Sequence, residues 1–205
     1  MTAAEPRPIV YVVDDDAGVR NAIALLLKSM DQPAATFGSA TDFLEAYDPD
    51  QPGCALLDVR MPGMSGLELQ DELNRRGAVL PVIFITGHGD VPMAVESMQH
   101  GAFDFLQKPF KDHDLTVRIR RALAHDREMR ERIGRKTQIR ARLARLTPRE
   151  RQVLRLVADG KPNKVMAAEL GVSQRTVEIH RAHVMRKMGA SSLAQLVRMT
   201  LIAGT

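Results

Sequence analysis

Cysteine is almost missing from this chain: Cys54 is the single one in 205 residues. An intrachain disulfide scaffold is therefore excluded. Because Cys54 lies inside the apolar run CALL, it reads as a small core residue rather than a thiol centre. No apolar stretch is long enough to span a bilayer, and MTAAEPRPI at the amino end has no apolar signal core. A cytoplasmic protein with no membrane partner is expected. Internal repeats and low-complexity segments are also absent. With 44% hydrophobic and 26% charged residues, extensive disorder is not expected. The length suits one large domain or two small ones.

What is present is divided by charge. Residues 1–117 carry 8 Lys/Arg against 18 Asp/Glu, a net −10, whereas residues 118–205 carry 21 against 7, a net +14. An acidic half joined to a basic half suggests two domains, the second suited to a polyanion.

The acidic half alternates apolar runs with amphipathic segments. Strands are predicted at IVYVV (9–13), AATF (34–37), CALL (54–57), VIFIT (82–86) and FDFL (103–106). Helices are predicted over Gly18–Met30, Ser39–Tyr47, Gly66–Arg76, near Val91–His100, and from about Asp112. Strands that are apolar along their length and alternate with helices imply a parallel sheet covered on both faces. In such sheets chemistry gathers at the carboxyl ends of the strands. Those ends deliver Asp14 and Asp15, then Asp58, then Thr86, and finally Lys108-Pro109. An aspartate after a strand is, taken alone, most often a cap or turn former. Three carboxylates, a hydroxyl and an ammonium on one edge form a different pattern. Clustered carboxylates resist joint ionisation unless a cation compensates, and Mg²⁺ with retained waters suits an open oxygen site. Asp58 is then an ionised nucleophile, with the metal, Lys108 and Thr86 around an incoming phosphoryl group.

The segments VVDDD, LLDVRMPGMSG, FITGHGD and FLQKPF resemble the signatures of response-regulator receiver domains over roughly residues 7–122. That resemblance implies a five-stranded, doubly wound, flavodoxin-like α/β domain. It implies that Asp58 accepts phosphate from a sensor histidine kinase. Asp14, Asp15, Asp58 and the backbone carbonyl of Arg60 would hold Mg²⁺. Thr86 and Phe105 would be switch residues, Lys108 would bind the phosphoryl group, and the Lys108–Pro109 bond would be cis. Asp16 reads as a solvated neighbour.

The charged stretch 125–146 is expected to be a helical linker, with Gly134 as a point of interruption and too short an apolar repeat for a coiled coil. From Leu146 only helices are predicted. TPRE (147–150) is a capping box with proline at the first helical position. Asn163–Leu170 and Ser173–Met188 follow, ended by Gly171 and Gly189, and Ser191 or Ser192 opens the last helix. NKVMAAELGVSQRTVEIH has the order helix, turn, helix. The whole segment resembles the helix-turn-helix of the LuxR/NarL/FixJ class, a small all-α four-helix domain. With this receiver and linker the chain is most similar to the FixJ-type subgroup. The domains are expected at 1–122, 123–143 and 144–205. Val177, Val184 and Met188 would face inward, while Arg175, Glu178, Ile179 and Ala182 share an outer face suited to a major groove. Lys164, Arg181, Arg186 and Lys187 would touch phosphates and set register. His180 and His183 suggest a metal pair only until a third ligand is sought, and none is found.

The expectation is a DNA-binding response regulator, not an enzyme beyond its own phosphorylation and dephosphorylation. Phosphorylation would drive a homodimer that regulates transcription, in the activating sense, with promoter DNA and RNA polymerase as partners. The rival readings are a small α/β phosphotransferase or phosphatase, a receiver with RNA- or protein-binding output, and phosphorylation-independent DNA binding. The first needs a second acid near the nucleophile, and LLDVRMPG has no aspartate two residues beyond Asp58.

Overall fold

Apolar runs that end on polar residues set the strands. A computed structural model describes residues 6–87 and 100–204. In it β1 (Ile9–Val13), β2 (Ala34–Phe37), β3 (Gly53–Asp58), β4 (Val82–Thr86) and β5 (Asp104–Gln107) form one parallel sheet in the order β2-β1-β3-β4-β5. The helices of this part are α1 (Ala17–Ser29), α2 (Ala40–Ala46), α3 (Gly66–Arg75) and the amino-terminal portion of α4 (Asp112–Ala144). The helix expected near Val91–His100 lies outside the described residues apart from His100 itself.

The period of two along each strand splits the core. Tyr11, Val13, Ala55, Leu57, Val82 and Phe84 pack on one face with Phe43, Leu69 and Leu73 from α2 and α3. Val10, Val12, Cys54, Leu56, Ile83 and Ile85 pack on the other with Ile23 and Leu27 from α1 and Leu115 and Ile119 from α4. All six residues of β3 are buried, so this strand has no solvent face. The sheet is therefore doubly wound, as the unbroken apolar strands require. Cys54 is fully buried, and burial pushes its thiol well above the usual range.

The chain forms two compact units that divide between Arg130 and Glu131. This division falls inside the stretch 123–143 expected as a linker. Helix α4 is unbroken through Gly134. One glycine costs a helix about 1 kcal/mol, which the Arg, Lys, Glu and Gln around it, all good helix formers, tolerate.

The second unit is helical. α5 (Pro148–Ala158) starts on the Thr147–Glu150 capping box. α6 (Asn163–Leu170) stops at Gly171, whose φ of 65° suits glycine. α7 (Gln174–Met188) starts on Ser173 and stops at Gly189, and α8 (Leu193–Ala203) starts on Ser192. Val153, Met166, Val177, Val184, Met188 and Leu196 fill the centre, joined by Ile139 from the end of α4. No helix among the described residues is long and apolar enough to cross a membrane.

Candidate functional site: an acidic pocket and a nucleic-acid interface

Parallel register brings the polar strand ends together. Asp58 pairs with Ile85, and Thr86 pairs with Gln107, so Asp58, Thr86 and Lys108 end neighbouring strands. Asp14 follows β1 directly and is 3% exposed; Asp58 is 8% exposed. The Lys108 ammonium bridges them, donating to Asp14 Oδ2 at 2.6 Å and to Asp58 Oδ1 at 3.2 Å. The other Asp58 oxygen accepts the Arg60 backbone N–H at 3.0 Å. Asp14 Oδ1 accepts the N–H of Asp16 at 2.9 Å, and the Asp14 carbonyl accepts from Arg20 at 2.7 Å. The Lys108 N–H donates to the Thr86 carbonyl at 2.8 Å, and the Lys108–Pro109 bond is cis. Thr86 is buried, and Phe105 is half-buried against the core face that α2 and α3 cover.

Gly66 closes the base of this pocket. A Cβ there would stand 2.2 Å from the Asp58 carbonyl oxygen and 3.1 Å from the Phe84 ring, so only glycine lets α3 begin so near β3. Gly87 meets the opposite condition: a Cβ would touch nothing within 4 Å, which leaves the space beside Thr86 open.

Burial raises the Asp58 carboxyl above its ordinary pKa, the charge of Asp14 adds to this, and Lys108 with the Arg60 N–H oppose it. Burial also works against the Lys108 ammonium, but its hydrogen bond and charge contacts with Asp14 and Asp58 outweigh that and hold its pKa above the ordinary value. One ammonium thus faces two buried carboxylates, with Asp15 exposed beside them. The pocket is short of positive charge, and apart from the Lys108 ammonium its side chains offer only oxygen. Among the described residues no group of three Asp, Glu, His or Cys side chains is placed to hold a metal ion by itself. Such a pocket fits only a hard cation that keeps most of its waters.

Asp16 has a specific local role. Its side chain caps α1, accepting from the N–H groups of Gly18 and Val19 at 2.7 and 3.4 Å.

In the helical unit Arg175, Glu178, Ile179 and Ala182 line one shallow surface depression on α7. Ile179 is 50% exposed on that face. Lys164 is exposed on α6. The other expected phosphate contacts differ. Lys187 donates to Glu150 Oε2 at 2.7 Å and to the Arg145 carbonyl at 3.4 Å. Arg181 donates to the Asn163 side chain. Both cations are thus engaged within the domain, whereas Arg186 is exposed. Glu150 is 3% exposed, and its hydrogen bond with Lys187, helped by Thr147, lowers its pKa to about 2. Burial opposes this shift, and the Lys187 and Thr147 contacts outweigh it. Sequence reasoning took Glu150 only as a capping residue and overlooked this pair, because Glu150 and Lys187 lie 37 positions apart. A cavity of about 600 Å³ bordered by Arg140, Arg151 and Arg155 shares no residue with either cluster.

An acidic pocket at the tips of a β2-β1-β3-β4-β5 sheet, followed by a basic helix-turn-helix, defines a response regulator with a DNA-binding output. Residues 10–120 match the response regulator receiver domain, and residues 144–200 match the luxR family of bacterial regulatory proteins. The chain belongs to the FixJ-type, LuxR-family response regulators of two-component systems. It is 50% identical over 195 residues to the transcriptional regulatory protein FixJ of Azorhizobium caulinodans, covering 95% of this chain and 92% of that protein. It is 46% identical over 203 residues to nodulation protein W of Bradyrhizobium diazoefficiens, covering 99% and 89%. Among solved structures, the response regulator StyR has 44% identity and a TM-score of 0.86, over 95% of this chain and 98% of that one. Full-length FixJ of B. japonicum has 42% identity and a TM-score of 0.59, over 97% and 98%.

Proposed function

We propose that Asp58 is the phosphoacceptor and that its phosphorylation, by a sensor histidine kinase, controls how the helical unit engages promoter DNA. The observation that carries this reading is the Lys108 bridge between Asp14 and Asp58, which sets the Asp58 carboxylate beside one ammonium at a buried strand tip. An Asp58 oxygen bonds to the donor's phosphorus, the bond from phosphorus to the donor's leaving nitrogen or oxygen breaks, and an acyl phosphate results. Lys108 then pairs with the new phosphoryl oxygens, and the Thr86 hydroxyl, from the next strand tip, turns to bond them. Asp14, Asp15, Asp58 and the Arg60 carbonyl would hold Mg²⁺, which when bound neutralises charge on the transferring group. Phe105 is the side chain on β5 to repack when Thr86 moves. Beyond this single self-directed transfer and its hydrolysis, no enzymatic turnover is assigned.

The DNA face is Arg175, Glu178, Ile179 and Ala182, with Lys164 at the backbone; Arg181 and Lys187 contribute by fixing the fold of that face. The switch works through a homodimer on paired half-sites, in the cytoplasm, with activation through RNA polymerase as the outcome.

Treating Asp58→Asn with acetyl phosphate and Mg²⁺, beside the parent, tests this. The parent should gain the mass of one phosphoryl group and bind promoter DNA more tightly, and the variant should do neither. A variant that labels and switches like the parent would remove the assignment.

A further inference from the structure

The receiver match ends at residue 120, yet the first compact unit continues to Arg130. A charged cluster at the amino end of β3 takes in the added residues Asp126 and Arg130. Asp126 on α4 is 1% exposed, and its Oδ2 accepts the N–H of Gly53, the first residue of β3, at 3.0 Å. Arg130, one turn later, donates through Nε to both carboxylate oxygens of Asp126 at 2.9 and 3.0 Å. Its terminal nitrogens donate to the carbonyls of Pro49, Asp50 and Gln51 at 2.9, 3.2 and 3.0 Å. Gly53 lies so close to β1 that a Cβ would stand 2.1 Å from the Ile9 carbonyl oxygen. The root of β3 is therefore fixed on two sides.

β3 carries Asp58 at its other end, about 17 Å away at roughly 3.3 Å per residue. The strand is buried throughout, and packed interiors transmit a displacement rather than absorb it. The Arg130 guanidinium meets the Asp126 carboxylate and three successive carbonyls at once, which ties this turn of α4 to the segment that leads into β3. Beyond Arg130 residues 131–138 are all exposed, and burial resumes at Ile139.

We propose that Asp126 and Arg130 are positioning residues that join the root of the phosphoacceptor strand to α4, so that the state of Asp58 reaches the helix through β3. This rests on the reading of Asp58 as phosphoacceptor. A contact that only stabilised the fold would lower the melting temperature when broken, yet leave the gain in DNA affinity on phosphorylation unchanged at equal folded fraction.

The test uses the full chain as parent, Arg130→Gln, and the double variant Asp126→Asn/Arg130→Gln. The double variant removes both charges and keeps an amide acceptor for the Gly53 N–H, so no buried carboxylate is stranded. Each is treated with acetyl phosphate and Mg²⁺, and binding is measured on a duplex selected from a random pool by the labelled parent. Hydrogen exchange of residues 123–138 is followed alongside. Both variants should label to the parent's stoichiometry, lose about fivefold or more of the phosphorylation-dependent gain in affinity, and exchange faster in α4 but not in β4. A parent-like gain in labelled variants, or unchanged exchange in α4, overturns the proposal while leaving the role of Asp58 intact. A parent that takes no label at Asp58 removes the phosphoacceptor reading, and this proposal with it.

Discussion

Each unit of this protein buries a carboxylate beside a lysine, and the two pairs behave oppositely. Asp58 shares Lys108 with a second buried acid, so burial and the charge of Asp14 raise its pKa. Glu150 has Lys187 at 2.7 Å and the Thr147 cap beside it, and its pKa falls to about 2. Only one of the two is left with unmet electrostatic demand. The same residue types thus make a reactive site where acids outnumber cations and a structural joint where they are matched.

The sharpest way to break the comparison is Lys187→Ala. It strands Glu150 and should cost the helical unit about 3 kcal/mol, read by chemical denaturation followed at an α7 amide. The pH response should follow the lowered acid. Stability from Glu150 is fully present above its ordinary 4.5 and is lost as pH falls toward about 2. That acid-sensitive step should largely disappear in Lys187→Ala. For Asp58 the sign is reversed. A raised carboxyl costs stability when ionised and is relieved by protonation, so acidification through its pKa does not weaken the receiver on its account. A smaller effect follows: Asp58→Asn should raise the receiver's melting temperature by about 2–4 °C, seen by calorimetry, while abolishing labelling. The smallest expected effect is Lys164→Ala, which should leave melting unchanged and lower the salt slope of DNA binding by about 1. A Lys187 variant whose only defect was such a slope change would show that Lys187 belongs to the DNA face after all.

Most of the architecture was legible because it is written in local patterns. Apolar runs set the strands within a residue or so, FDFL being the one displaced, to Asp104–Gln107. Capping chemistry set Thr147, Ser173, Gly171 and Gly189 at their helix ends. The convergence of Asp14, Asp58, Thr86 and Lys108 was legible because parallel sheets gather strand ends. What stayed hidden were pairings across long separations. Asp126 looks from sequence like one more acid in a charged helix, and nothing local reveals that it meets Gly53, 73 positions away. The intradomain partners of Lys187 and Arg181 were equally hidden, because i, i+3 and i+4 spacing reports a helix face but not what lies against it.

Helix α4 also bears on how such proteins can be recombined. Its Ile139 side chain belongs to the helical core, and Arg142 donates to the Met188 carbonyl at 2.8 Å, finishing the carboxyl end of α7. A chimera cut at residue 120 would discard the Asp126–Arg130 joint, and one begun at residue 144 would lose both Ile139 and Arg142. The natural splice lies within the exposed residues 131–138, where an exchange of modules leaves each donor's interior whole.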